Sequence, residues 1–291
     1  MNNALSPGPV VVAVDGSNAA IGAAEWAAKE AVHQGVALRL VHVIHDSDAS
    51  MGSAAADGPE RQYSENALHA ASSAVKATGL PVHVDTTVLH GDVDSALIAE
   101  SESATLICIG SAGIGRVAAA MLGSTAATLA ERARCPVAII RRSHDRPLPD
   151  AGFIAVVLDG DPGDEIAMQW AMEEARVRRA PVLALGVRSR PHFDIDNERV
   201  YRRLDHWLHR YPDVKVEVAT TRLSAPRYLQ GFIGAVQLVV IGGGADRVLP
   251  LVGPHTVPIL AHADCSVLVA RAAKRTDDNE HGCPPTPERS V

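Results

Sequence analysis

Apolar runs of strand length recur along this chain, and each is followed by a segment in which apolar residues return with helical spacing. The first run, Val10-Val-Val-Ala-Val14, is closed by Asp15-Gly16-Ser17. A continuous apolar run bounded by an acid and a glycine predicts a strand buried on both faces. An alanine-rich helix is predicted from about Ala19 to Gln34, with Gly35 as its stop signal. Ala37 to Ile44 reads as the second strand. After a longer loop, Asp46 to Pro59, the pattern predicts a helix near Ser64 to Thr78, a strand Val82 to Leu89 and a helix near Val93 to Ser101. A strand Thr105 to Ile109, a helix near Ser124 to Arg134 and a strand Val137 to Arg141 complete the series. Strands alternating with helices predict a parallel sheet covered on both faces.

The second half repeats the first. Phe153 to Leu158 precedes Asp159-Gly160 as Val10 to Val14 precedes Asp15-Gly16, and Trp170 follows Asp159 at the distance by which Trp26 follows Asp15, an offset of 144 residues. Leu238 to Gly242 aligns with Leu106 to Gly110 at an offset of 132, and Cys265 to Ala270 aligns with Cys135 to Ile140 at 130. Two deletions account for the drift, one after the second strand and one inside a glycine-rich loop. Repetition at this period predicts two tandem domains and not a solenoid of short units. We expect a flexible N-terminus over 1–8, a first domain over 9–142, a linker over 143–151, a second domain over 152–272 and a disordered polar tail over 273–291.

Composition narrows the function. With 47% hydrophobic and only 3% aromatic residues, small aliphatic side chains must fill the core. A formal charge of -7 argues against a nucleic-acid partner, whose phosphates need a basic face. The arginine clusters Arg176 to Arg179 and Arg202-Arg203 fall in helical patterns and read as solvated faces. No stretch approaches the ~20 apolar residues of a membrane span, so we expect no membrane contact and a cytoplasmic location. The cysteines, at 108, 135, 265 and 283, lack the close pairs of a zinc or redox motif and read as structural, with no metal ligands. Cys135 and Cys265 precede the last strand of their repeats and should occupy the same packing niche.

The candidate chemistry lies after Thr105 to Ile109. Gly110-Ser-Ala-Gly113, nine further residues and Gly123-Ser124-Thr125 place glycines at a strand end and hydroxyls at the next helix start. Such an arrangement lets main-chain N–H groups approach a phosphate. The spacing G-x2-G-x9-G-[ST] resembles the ATP-binding signature of the universal stress protein family. That resemblance implies two Rossmann-like α/β domains, each a five-stranded parallel sheet in the order 3-2-1-4-5, with the ligand crevice where the order reverses, between strands 1 and 4. Asp15 and Gly110 end those two strands. By the same resemblance Ala13, Asp15 and Val43 line the adenosine end, Gly110, Gly113, Gly115 and Arg116 wrap the phosphates, and Gly123, Ser124 and Thr125 close the cradle. Many two-domain relatives carry a basic residue three before the last motif glycine, where Ala120 stands here. From the residues alone, Asp15 has the alternative of an Asx-turn or helix cap beside Gly16 and Ser17.

The second repeat departs further. Gly242-Gly-Gly244 is followed by Ala245 where the first repeat has Gly113, the loop is two residues shorter, and Gly253 precedes Pro254-His255 instead of Ser-Thr. Proline supplies no N–H. Asp159, Gly242, Gly244 and Gly253 therefore form at most a weak second site. No Gly-Lys pair occurs, and the chain also lacks G-x-S-x-G and H-E-x-x-H, so no catalytic residues are assigned. His42 and His90, at strand ends, read as packed or hydrogen-bonded residues. The expectation is an ATP-binding regulator of stress adaptation, holding ATP alone or with Mg or Mn. A regulatory protein partner and a homodimer or intramolecular pseudo-dimer are implied. A slow ATPase or phosphotransferase, and a nucleotide-free scaffold, are the alternatives.

Overall fold

The computed structural model describes residues 7–45, 57–111, 123–141, 152–187, 197–232, 235–243 and 265–272. The expected linker and tail, and most of both glycine-rich loops, lie outside them. The first half contains β1 (Val10–Ala13), α1 (Asn18–Gln34), β2 (Leu38–Ile44), α2 (Asp57–Ala77), β3 (Val84–His90), α3 (Val93–Glu100), β4 (Leu106–Gly110), α4 (Ser124–Arg132) and β5 (Val137–Ile140). The second contains β6 (Phe153–Leu158), α5 (Asp164–Arg178), β7 (Val182–Val187), α6 (Asn197–Arg210), β8 (Val216–Thr221), α7 (Ala225–Leu229), β9 (Val236–Gly242) and β10 (Ser266–Ala270).

All ten strands form one sheet in the order β3-β2-β1-β4-β5-β10-β9-β6-β7-β8, so each half has the expected order 3-2-1-4-5. Pairing is parallel within each half and antiparallel only between β5 and β10, where Val137 faces Val269 and Ile139 faces Val267. The two final strands cover each other's open edges, which removes two unpaired ladders from solvent. Because that pair is antiparallel, the carboxyl ends of the strands point opposite ways in the two halves.

Alternation along the buried strands divides the core into two layers. Val10, Val12, Leu38, Leu40 and Cys108 pack under α1 and α2, and the same layer continues under α5 and α6 in the second half. Val11, Val41, Ile107 and Ile109 face the other way, onto α3 and α4, in a layer that reaches α7. Cys135 and Cys265 are both buried in this second layer, at equivalent places before β5 and β10.

The helix limits follow local chemistry. Ser17 caps α1 by accepting from Ala20 N–H at 3.1 Å. Gly35, at φ 67°, ends it with the paired bonds Gly35 N–H to Val32 and Val36 N–H to Ala31. The same motif ends α5, but with Arg179 at φ 50° in the glycine position. α2 starts at Asp57, inside the predicted loop and seven residues before Ser64. Pro59 lies in its first turn, where a missing N–H breaks no helical bond, so proline there marks a start and not a barrier. The Arg176 to Arg179 expectation also fails at one residue: the Arg178 side chain is 6% exposed, between α1 and α5.

Candidate functional site

A cavity of about 340 Å³ opens at the carboxyl ends of β1, β2 and β4, where the strand order reverses. Ala13, Val41, Val43 and Ile109, on the α3/α4 face of the sheet, supply its apolar floor. Asp15 follows on the same alternation, two residues beyond Ala13. Gly123, Ser124 and Thr125 line the cavity at the start of α4.

The N-terminus of α4 is held in place by its neighbours. Asp92 caps α3 through Ser95 N–H at 2.9 Å, and the two hydrogen bonds from Ser95 hold its carboxyl below the usual range. Thr128 on α4 donates to Asp94 on α3 at 2.8 Å, which fixes the helices together. Gly123 N–H donates to Ser111 at 3.3 Å, closing the loop ends against each other. Unlike Ser17 and Asp92, Gly123 has no side chain to accept from the first turn, so among the described residues no side chain caps the leading amides of α4.

Asp15 lines the cavity and also makes the Asx-turn: its Oδ1 accepts from Ser17 N–H at 2.9 Å. Oδ2 is the oxygen left for a ligand. The loop is further tied by Tyr63 of α2, whose hydroxyl donates to the Asp15 carbonyl at 2.9 Å. Gly16, at φ 85°, sits so close beneath that a Cβ would lie 2.6 Å from the Tyr63 oxygen. His42 donates from Nδ1 to the Val14 carbonyl at 2.7 Å and meets Tyr63 edge-on at 5.9 Å, a packed and hydrogen-bonded histidine as its strand-end position suggested. Tyr63 carried no sequence signal, since nothing local links α2 to the end of β1.

The structure brings together Ala13, Asp15, Val43, Gly110, Gly123, Ser124 and Thr125 around one cavity. Gly113, Gly115 and Arg116 lie outside the described residues. Gly110 has a reason the sequence did not show. Its missing side chain points at α1, where a Cβ would stand 2.8 Å from the Ala19 carbonyl carbon and 3.0 Å from Ala20 N. Close packing of strand on helix, not clearance for phosphate, requires glycine there.

In the second half Asp159 repeats the Asx-turn with Asp161 N–H at 3.2 Å, and Gly242 ends β9 as Gly110 ends β4. Gly244 and Gly253 lie outside the described residues. Asp164 marks a difference that sequence reasoning missed. It corresponds to Ala20, which lines the first cavity, through the 144-residue offset. Its buried carboxylate accepts from Gly160 N–H at 2.8 Å, with Arg203 3.8 Å away. A fixed carboxylate at this position repels an anion and takes a donor that an empty site would offer. Alignment of the Asp-Gly turns alone would have exposed the Ala-to-Asp change.

The universal stress protein family model matches residues 8–141. A universal stress protein of Mycobacterium tuberculosis strain H37Rv is 43% identical over 265 residues, covering 90% of this chain and 96% of the relative. A second from that strain is 40% identical over 274 residues, covering 91% and 96%. Among solved structures, a universal stress protein from Archaeoglobus fulgidus shares the fold, with a TM-score of 0.70 at 16% identity over 91% of this chain and 96% of that one.

Proposed function

This chain belongs to the universal stress protein family, and from that premise we propose that its first half holds ATP in the cavity between β1 and β4 as a regulatory ligand. One observation carries the reading: an apolar floor with an acid at one end and uncapped helix amides at the other. Val41, Val43 and Ile109 suit a base, Asp15 Oδ2 suits sugar hydroxyls, and the first turn of α4 suits phosphate. Gly113, Gly115 and Arg116 would complete the phosphate wrap.

The nucleotide is held and not consumed. His42 and Asp15 are the titratable side chains of the described lining, and each is tied to the turn after β1, His42 through Nδ1 to Val14 and Asp15 through Oδ1 to Ser17, an arrangement that suits holding a ligand in place. Asp15 is also the one carboxylate of the described lining. Mg or Mn would accordingly be carried chiefly by phosphate oxygens, as is usual for a hard cation with few protein ligands. The second half, with Asp164 in place of Ala20, serves as structural partner, and the β5–β10 pair makes the chain its own pseudo-dimer. Occupancy of the first cavity would be read at its mouth by a regulatory protein in stress adaptation.

Calorimetric titration of ATP tests the proposal, with one site per chain expected. Asp15→Ala should weaken binding at least tenfold and also lower apo stability by about 1 kcal/mol, because the Asx-turn is lost. A lowered unfolding midpoint with unchanged affinity would reduce Asp15 to a local cap and remove the nucleotide from this cavity. Single-turnover phosphate release above background would replace holding by hydrolysis.

A further inference from the structure

Residues of α1 and α5 correspond through the 144-residue offset, so their contact can be compared with itself across the pseudo-twofold axis at β5–β10. On one side Trp26 is 2% exposed and lies beneath Arg178, whose guanidinium carbon is 4.6 Å from the ring centroid. That guanidinium bonds Glu30 at 2.8 Å. On the other side the tryptophan is Trp170, and the position corresponding to Arg178 is Gln34. A neutral side chain of this length supplies no cation. Trp170 stays half-buried on the wall of an open cleft of about 580 Å³, which Gln34, Glu173, Gln169, His33 and Arg271 also line.

We propose that this cleft binds small molecules bearing a guanidinium group, seated on Trp170 as Arg178 is seated on Trp26. Attraction to the ring face places the planar cation, and Glu173 on the same helix accepts its N–H donors. Glu173 is already oriented by Gln169 Nε2 at 3.0 Å. Arg271 shares the cleft, but its guanidinium donates to the Leu129 and Ala130 carbonyls near the end of α4, where a helix offers negative potential. The volume lies within the usual range for small-molecule sites. The site is separate from the nucleotide cavity: Ser17 and Ala20 open α1 at that cavity, whereas His33 and Gln34 close the same helix at the cleft, roughly 20 Å away at 1.5 Å per residue. It does not depend on nucleotide binding.

The experiment is a titration of the full chain with methylguanidinium, following the indole N–H resonances of Trp26, Trp170 and Trp207, with Trp170→Phe assigning the second. A saturable shift of the Trp170 resonance in the millimolar range is expected, with Trp26 and Trp207 unmoved. N-methylurea, neutral and of the same shape, should give no such shift. Glu173→Gln should weaken binding about fivefold, and Gln34→Arg, which supplies the cation in cis, should abolish the response while the spectrum stays folded. No saturable shift, an equal shift with N-methylurea, or undiminished binding in a folded Gln34→Arg protein would overturn the proposal.

Discussion

Replacing Glu30 by Gln should remove a pH-dependent penalty from folding, and the expected size follows from the charges around it. Glu30 on α1 faces Arg178, Glu174 and Glu173 on α5 and Cys108 on β4. Arg178 hydrogen-bonds Glu30 at 2.8 Å and forms an ion pair with Glu174 at 2.6 Å, and all three side chains are nearly inaccessible. Two buried carboxylates with one guanidinium carry a net negative charge unless the cluster keeps a proton. Burial, reinforced by Glu174 and only partly offset by Arg178, pushes the Glu30 carboxyl well above the glutamate range. The native state therefore keeps a proton that the unfolded chain has released, and stability falls as pH rises from the ordinary glutamate pKa toward the raised one. Each pH unit in that window costs about 1.4 kcal/mol. Glutamine reproduces the protonated acid: its oxygen can accept from Arg178 and its amide can donate to Glu174. Urea unfolding across pH 5 to 8 should show the variant matching the wild type at the acid end and gaining on it by that slope. A difference independent of pH, with the variant weaker by about 3–5 kcal/mol throughout, would mean that Glu30 is ionised in a plain ion pair and would refute the shared proton.

Other outcomes follow from single contacts. Gly110→Ala should lower stability by about 1–3 kcal/mol in thermal unfolding without nucleotide, because its Cβ meets helix backbone that cannot yield easily. Arg179→Gly should raise stability by about 0.5–1 kcal/mol in the same assay, since the left-handed position at φ 50° then carries no Cβ. Tyr63→Phe should cost about 0.5–1.5 kcal/mol, the usual worth of one hydrogen bond, and should weaken ATP binding in calorimetry if the Asp15 loop is held by that bond.

Much of this protein was legible in residue order because its signals are local. Apolar runs bounded by glycine marked strands such as Val10 to Val14, and the serine and glycine flanking α1 do cap it, since these signals act through the backbone a few residues away. The repeated Asp-Gly turns and tryptophans exposed the two halves, and the glycine spacing led to the family. Asp15, Val43 and Gly123 were brought to one cavity because strand ends in a parallel sheet share an edge.

What tertiary structure alone decided depends on residues far apart in the chain. The solvated reading of Arg176 to Arg179 was a statement about one helix, and it failed at Arg178 because α1 of the other half lies against that face, with Glu30 and Trp26 as partners. Gly110 looked like clearance for a phosphate, but its constraint comes from the backbone of Ala19, ninety-one residues earlier. Tyr63 reaches Asp15 across forty-eight residues, and Asp164 meets Arg203 of α6 only because the fold sets them side by side. Periodicity and capping report on contacts within about a turn or a strand, so they determine elements and their order. Which side chain meets which across the sheet is set by packing, and packing decided where the charges of this protein are buried.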